Sequence, residues 1–311
     1  MARSLDARCL LIVAVFAVAS GFVDLRVRAY PERPYTEFIP AVAAGTAEAP
    51  ERYRILVPFA FEWLARTTGA APAAIWHATR LAWFLAAYVV FYGYLRTWFA
   101  PHGALLGVAT VAATLPLTFT NSWAHPDHIP ELALFTLGCW LLATQRIGWF
   151  AGVLALASLN RETAVFLVVL FALAFPATRQ HVALTALFAV EWLAIYAGLR
   201  IWRGYEPYAI WQVARNLEFL KLLPPPRDPY YRAYAYFGVA LVVPLWLVGT
   251  KNVSAQPFFV HRALLVVPVL AAVVFVISSI IEPRVLTPFY PLALPAVMFG
   301  LRVPIEGHDT L

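Results

Sequence analysis

Charge is scarce in this chain. Of 311 residues, only 13% are Asp, Glu, Lys or Arg, while 62% are hydrophobic and the mean hydropathy is +0.71. A soluble domain carries about 25% charged and about 45–50% apolar residues. The composition therefore excludes an ordinary soluble domain and indicates a polytopic membrane protein. Cysteine is scarcer still. Cys9 and Cys139 both lie inside apolar runs, which leaves no disulfide framework and no cysteine zinc spacing. The chain has no Walker-type glycine-rich loop, zincin helix, nucleophile elbow or Rossmann fingerprint. ATP-driven transport and use of a nucleotide-sugar donor thus have no motif to rest on. Internal repeats and low-complexity tracts are also missing. The net charge of +6 and pI near 9.4 arise from basic residues scattered between apolar runs. With no basic stripe along one face, no nucleic-acid partner is expected, and the charge fits membrane topology and anionic headgroups instead.

What is present is a succession of apolar segments. They are Cys9–Val23, Pro72–Leu95, Gly103–Thr120, Ile129–Thr144, Ile147–Leu159, Thr163–Phe175, Val182–Ile201, Tyr234–Gly249, Ala263–Ile281 and Val285–Leu301. At about 20 residues per span, this reads as about ten crossings. The expected fold is an all-α transmembrane helix bundle forming one domain over residues 1–311. The fifth and sixth segments are short, at about 13 residues each, and read either as spans or as one re-entrant pair. The first segment reads either as a cleaved leader or as a retained helix; the retained helix is expected, because every later segment also needs the membrane. Twenty-four prolines and eleven tryptophans fit broken membrane helices with interfacial aromatic belts.

With the N-terminus inside, the inner loops hold Arg96, Arg146, Arg179, Lys251 and Arg262 and no acid, as the positive-inside rule asks. Two outer segments are long enough to fold, 24–69 and 203–232. In the first, Tyr35–Ala44 reads as an interfacial helix. Ile55–Ala65 is apolar but too short to span, with Pro58 in its first turn. In the second, Tyr208–Leu223 is helical in pattern until Pro224-Pro225-Pro226 ends it.

This topology gathers four charged clusters at the outer face, and charge is costly near a bilayer. Asp24 follows the first helix, where it is either a helix-end charge or a general base for an acceptor hydroxyl. Glu32 and Glu37 compete for that role. Arg52-Tyr53-Arg54 reads either as snorkelling arginines or as a phosphate clamp. In His125-Pro126-Asp127, Asp127 and Glu131 share a helix face. Asp127 is a helix cap, an orienting acid or, with His125 and Glu131, part of a loosely spaced metal set. Asn160-Arg161-Glu162-Thr163 interrupts an apolar stretch, and its short flanks would pull the tip below the headgroups, where polar groups need partners or a wet cavity. Glu282-Pro283-Arg284, followed by Pro288, Tyr290 and Pro291, is either a solvated turn or the mouth of a cavity. Glu191 lies mid-helix, either paired or lining a cavity.

These residues resemble the GT-C superfamily of integral-membrane glycosyltransferases. The resemblance rests on Asp24 after the first helix, the Tyr35 helix followed by Arg-Tyr-Arg-Ile-Leu-Val-Pro, and Asp127 before the fourth helix. The Leu-Asn-Arg-Glu-Thr tip and the Glu-Pro-Arg turn complete it. Where several members carry adjacent acids in the first loop, Leu25 and Arg26 follow Asp24 here. The resemblance implies a polyprenyl-phosphate-linked or polyprenyl-pyrophosphate-linked sugar as donor, and a glycan, lipid or protein acceptor. It also implies transfer at the extracytoplasmic face of a bacterial inner membrane, with no cofactor and, in many members that use a monophosphate donor, no metal; a divalent metal is the alternative, which the sequence does not indicate. Catalysis would fall to Asp24, Glu32 and Asp127. Arg54, Arg161 and Arg284 would hold the donor phosphate, while Tyr53, His125, Asn160, Glu162 and Glu282 would orient the groups. The alternative reading is a carrier or flippase for an isoprenoid-linked or other anionic lipid, which should line a polar path to both faces. A third is a non-catalytic envelope scaffold, which would tolerate loss of Asp24.

Overall fold

The structure is a computed structural model that describes residues 6–27, 32–118, 125–207, 211–221, 243–251, 253–278, 285 and 287–305. Among these residues the chain is all-helical, with no strand. The helices are α1 (Ala7–Val27), α2 (Ile39–Ala44), α3 (Leu56–Thr68), α4 (Pro72–Leu95), α5 (Pro101–Thr114), α6 (His128–Ala143), α7 (Ile147–Asn160), α8 (Val165–Ala174), α9 (Arg179–Arg203), α10 (Val213–Lys221), α11 (Phe258–Ile277) and α12 (Phe289–Gly300). Residues 243–249 add a further helical stretch.

Four helices are long and apolar enough to cross a bilayer: Ala7–Arg26, Pro72–Leu95, Arg179–Arg203 and Phe258–Ile277. Such helices are compatible with a membrane protein. Four more, His128–Ala143, Ile147–Asn160, Glu162–Ala174 and Phe289–Gly300, are apolar but only 10–17 residues long. The count therefore falls short of the expected ten. Most of the segment Tyr234–Gly249 lies outside the described residues, and the shorter helices stop below a full span.

The first helix shows how pattern becomes packing. Cys9, Val13, Ala17, Ser20 and Asp24 recur every three or four residues and are all buried, so they form one face. That face packs against α4 and α5, and Ser20 Oγ shares a 2.7 Å hydrogen bond with the Tyr88 hydroxyl on α4. Leu11, Val15, Val18 and Phe22 lie on the opposite, exposed side. The segment read as either leader or retained helix is thus built into the core, and its burial pattern carries Asp24 inward.

α6 is apolar nearly all round, as a central helix must be, and packs between α4 and α7. Close approach to α4 depends on Gly93, where a Cβ would sit 2.5 Å from the Trp140 ring. Proline shapes α12. Pro295 has no N–H to donate to the carbonyl four residues back, at Pro291. The Tyr94 hydroxyl of α4 donates to that oxygen at 2.9 Å, so the broken ladder is satisfied from a neighbouring helix.

The first outer segment folds as expected. A π-helical turn at Pro34–Phe38 leads into α2, which ends at left-handed Gly45 (φ 76°). Ile39 of α2 joins Phe61 of α3 and Ile75 and Trp76 of α4 in a small separate core. α3 holds Pro58 in its first turn and ends at Gly69. In the second outer segment, α10 is tied to α11 by Asn216, whose Nδ2 donates to the carbonyls of Phe275 (2.6 Å) and Ser278 (2.8 Å). Tyr208–Ile210, Leu222, Leu223 and Pro224-Pro225-Pro226 lie outside the described residues.

Candidate functional site

Three of the four charged clusters contribute to one region, at the end of the bundle where α1 finishes and α6 begins. Asp127 immediately precedes α6, yet its side chain makes no capping hydrogen bond. It turns to two arginines: its Oδ2 lies 3.1 Å from Arg161 Nε and 3.4 Å from Arg54 Nη1. One turn further along the same face, Glu131 Oε2 lies 2.5 Å from Arg161 Nη1. Thr163 Oγ1 donates to Glu131 Oε1. The four-residue spacing thus places two carboxylates on one guanidinium. Asn160 Nδ2 donates to the Asp127 carbonyl at 2.9 Å, which fixes the α7–α8 tip against the start of α6. Arg161 and Asn160 are buried at 5% and 1% exposure. The tip is therefore an interior polar network rather than a solvated turn.

Arg54 sits between Asp127, Glu162 (Nε to Oε2, 3.4 Å) and Glu51 (3.9 Å). Burial acts to lower the pKa of this guanidinium, but the carboxylates Glu162, Asp127 and Glu51 outweigh it and hold the value above the ordinary one. The group is a fixed cation. His125 Nδ1 lies 3.7 Å from Glu51.

A second centre adjoins the first. Asp24 is wholly enclosed and receives two bonds from Arg80 of α4: Nε to Oδ2 at 2.9 Å and Nη2 to Oδ1 at 3.1 Å. Arg80 Nη1 also donates to the Pro126 carbonyl at 3.2 Å, so it grips the peptide just before Asp127. The Arg80 Nη2 also lies 3.3 Å from His128 Nε2 and 3.5 Å from its Nδ1, and that Nδ1 lies 2.9 Å from the His125 carbonyl oxygen.

The network borders a cavity of about 10 Å³, lined by the Arg54, Arg161 and Arg200 guanidiniums, Glu162 and three aromatic rings, Tyr53, Trp192 and Tyr196. That is room for about one water molecule. Arg200 lies over the rings of Tyr196 (3.4 Å) and Tyr53 (4.3 Å), a cation–π stack that immobilises its plane. Its Nη2 lies 3.8 Å from Glu162 Oε1, an oxygen with no hydrogen bond. Trp192 Nε1 donates to the Glu162 carbonyl at 3.2 Å. One side of the cavity is latched. The Tyr53 hydroxyl donates to Gly204 O (3.0 Å) and accepts from the Glu206 N–H (2.9 Å), and Arg52 Nη1 pairs with Glu206 at 3.1 Å. These contacts join the first and second outer segments.

Asp24, Tyr53, Arg54, His125, Asp127, Asn160, Arg161 and Glu162 are thus brought into one connected region. Others are placed differently. Asp24 does not line the cavity, and both its oxygens are committed to Arg80, so the structure does not present it as an accessible base. Glu32 is exposed and Glu37 pairs with Arg33 at 3.4 Å near the surface; neither lines the cavity. Glu282 and Arg284 lie outside the described residues. Among the described residues no group of three His, Cys, Asp or Glu side chains is arranged to hold a metal ion; Asp127 and Glu131 face Arg161 instead. Sequence reasoning missed Arg80, Arg200, Glu51, Trp192 and Tyr196. Arg80 carried a usable signal, being an isolated charge within a long apolar run, where a buried counter-ion is required.

Comparison with known protein families, with curated proteins and with solved structures finds no match.

Proposed function

We propose that this chain is a membrane-embedded glycosyltransferase of the GT-C kind that its sequence resembles. It moves a sugar from a polyprenyl-phosphate carrier to an acceptor hydroxyl. The observation that carries this reading is the convergence of Arg54, Arg161 and Arg200 with Glu162 on one aromatic-walled cavity. Counting α5, the four short apolar helices and Tyr234–Gly249 as crossings beside the four long helices gives ten. With the N-terminus inside, the cavity then opens on the extracytoplasmic face, taken here as that of a bacterial inner membrane.

The roles follow from geometry. Asp127 and Glu131 hold Arg161, and Asp127, Glu162 and Glu51 hold Arg54. Each guanidinium has five N–H donors, and these contacts engage only Nε and Nη1. The Nη2 groups, with stacked Arg200, take the donor phosphate. Tyr53, Trp192 and Tyr196 form the aromatic wall beside the sugar. Glu162, with a side chain 23% exposed and one oxygen lacking a hydrogen bond, takes the base role in place of Asp24. In the reaction the acceptor oxygen bonds to the anomeric carbon and the carbon–oxygen bond to phosphate breaks. The hydroxyl proton goes to Glu162, and the leaving phosphate keeps the electron pair against the arginines. Prepositioned cations stabilise that growing charge without reorganising. Because the cavity is so small, substrate entry requires the Tyr53 latch to open.

The carrier reading is disfavoured by what separates this cavity from the other end of the bundle. Along α6 and α8 most intervening side chains, among them Phe135, Cys139, Leu167 and Leu170, are apolar and at most 2% exposed, and Thr136 adds a single buried hydroxyl rather than a charge. A charged headgroup crossing there would meet no polar path.

The test is reconstitution of the purified protein in liposomes with a panel of polyprenyl-phosphate sugars and a mixed envelope extract as acceptor. Release of polyprenyl phosphate by the wild type, lost in Glu162→Gln and Arg200→Ala, is expected. No release from any donor, or full activity in both variants, overturns the proposal.

A further inference from the structure

The opposite end of the bundle holds a second cavity, of about 320 Å³. Its walls are almost wholly apolar: Leu142 and Ala143 from the end of α6, Phe175 and Pro176 after α8, and Phe258 and Phe259 at the start of α11. Phe259 is braced by Trp98, whose ring stacks on it at 6.2 Å and 18°.

The rim is cationic. The Arg262 guanidinium lies 4.8 Å from the Phe258 ring centroid, and its buried Nε has no hydrogen-bond partner. Gln145, also at the cavity, is followed by exposed Arg146, and Pro176 lies three residues before exposed Arg179. The chain at the rim leads into three helix N-termini, those of α7, α9 and α11. None has an acidic residue in its first turn. Each N-terminus carries unsatisfied N–H groups and the positive end of a helix dipole, which normally favour a carboxylate nearby. Here the positive potential of three helix ends and three arginines is left without an acid of those turns to balance it.

We infer that this cavity binds an anionic phospholipid. One acyl chain fills the apolar space between α6, α8 and α11, and the phosphate sits at the rim against Arg262, flanked by Arg146 and Arg179. The apolar walls suit a chain and exclude a soluble anion, while the rim selects charge. The inference is independent of the glycosyltransferase reading, since no residue of the outer cavity takes part.

The experiment is native mass spectrometry of the full chain in detergent, titrated with phosphatidylglycerol or with phosphatidylcholine of the same acyl chains. Preferential retention of phosphatidylglycerol is expected. Arg146→Gln with Arg262→Gln should lower that preference by about fivefold for each arginine removed, the usual weight of a basic residue near an anionic lipid. Ala143→Trp, which fills the cavity, should lower retention of both lipids. If that variant fails to fold, the double arginine variant, with its changes at the rim, still decides. Equal retention of the two lipids by the wild type, or unchanged selectivity in the double variant, overturns the inference. So does loss of phosphatidylglycerol in Arg200→Ala but not in the rim variant, because that would place the lipid in the outer cavity.

Discussion

Asp24 and Arg80 form a two-point ion pair in which neither partner is more than 3% exposed. They come from helices that run in opposite directions, and the bidentate geometry fixes how α1 and α4 register. Because Arg80 also holds the Pro126 carbonyl, the pair reaches Asp127 and through it the arginines of the cavity. Asp24 acts here through Arg80, as a positioning residue.

Removing one member of this pair leaves a buried charge without compensation. Arg80→Ala should cost about 3–5 kcal/mol. Asp24→Asn keeps the shape but loses the charge and should also destabilise. SDS-driven unfolding in mixed micelles measures both. A wild-type midpoint in either variant would show that the pair contributes no stability.

Arg200 is stacked rather than enclosed by acids, so it can be removed with little damage to the network. Arg200→Ala should weaken polyprenyl phosphate binding by about tenfold, the loss of roughly 1.4 kcal/mol from a charge-assisted contact. Its melting temperature should stay near that of the wild type. Binding followed by microscale thermophoresis, with melting recorded on the same samples, separates the two effects.

The latch between the outer segments is tested by Tyr53→Phe, which removes the hydroxyl that joins Gly204 to Glu206. Loss of about 1 kcal/mol of hydrogen bonding should raise local opening about fivefold. Faster hydrogen exchange at the Glu206 amide, with unchanged exchange in α6, is the expected result.

Tyr94→Phe leaves the Pro291 carbonyl without its donor inside the bundle. A buried acceptor left unsatisfied costs about 1–3 kcal/mol, so the variant should be destabilised by that amount in the same unfolding assay. Tyr92→Phe removes a buried hydroxyl that neighbours Cys9 but serves no backbone carbonyl; it should not be destabilised in this way and serves as the control.

The helical class and the position of most helices were legible because apolar runs and their punctuation by proline and glycine are local properties. So was the pairing of Asp127 with Glu131, since a four-residue spacing needs no tertiary information. The need of Asn160-Arg161 for buried partners could be read from the apolar segments that flank it. Partner choice was not legible. Nothing near Asp24 in the chain indicates Arg80, which lies 56 residues away; only the packing of α1 on α4 joins them. Arg200 sits at the end of an apolar helix and looks like an ordinary snorkelling residue until Tyr53 and Tyr196 are seen against its guanidinium. Tyr53, expected only to orient neighbouring groups, also fastens two outer segments together.

The inward face of α1 has a consequence for maturation. A peptidase that clipped this segment after export would take Cys9, Val13 and Ala17 out of the core and leave Asp24 without the helix that holds it against its guanidinium. The trimmed product would keep the Arg80 guanidinium deep between apolar helices with no helix to seat the carboxylate on it.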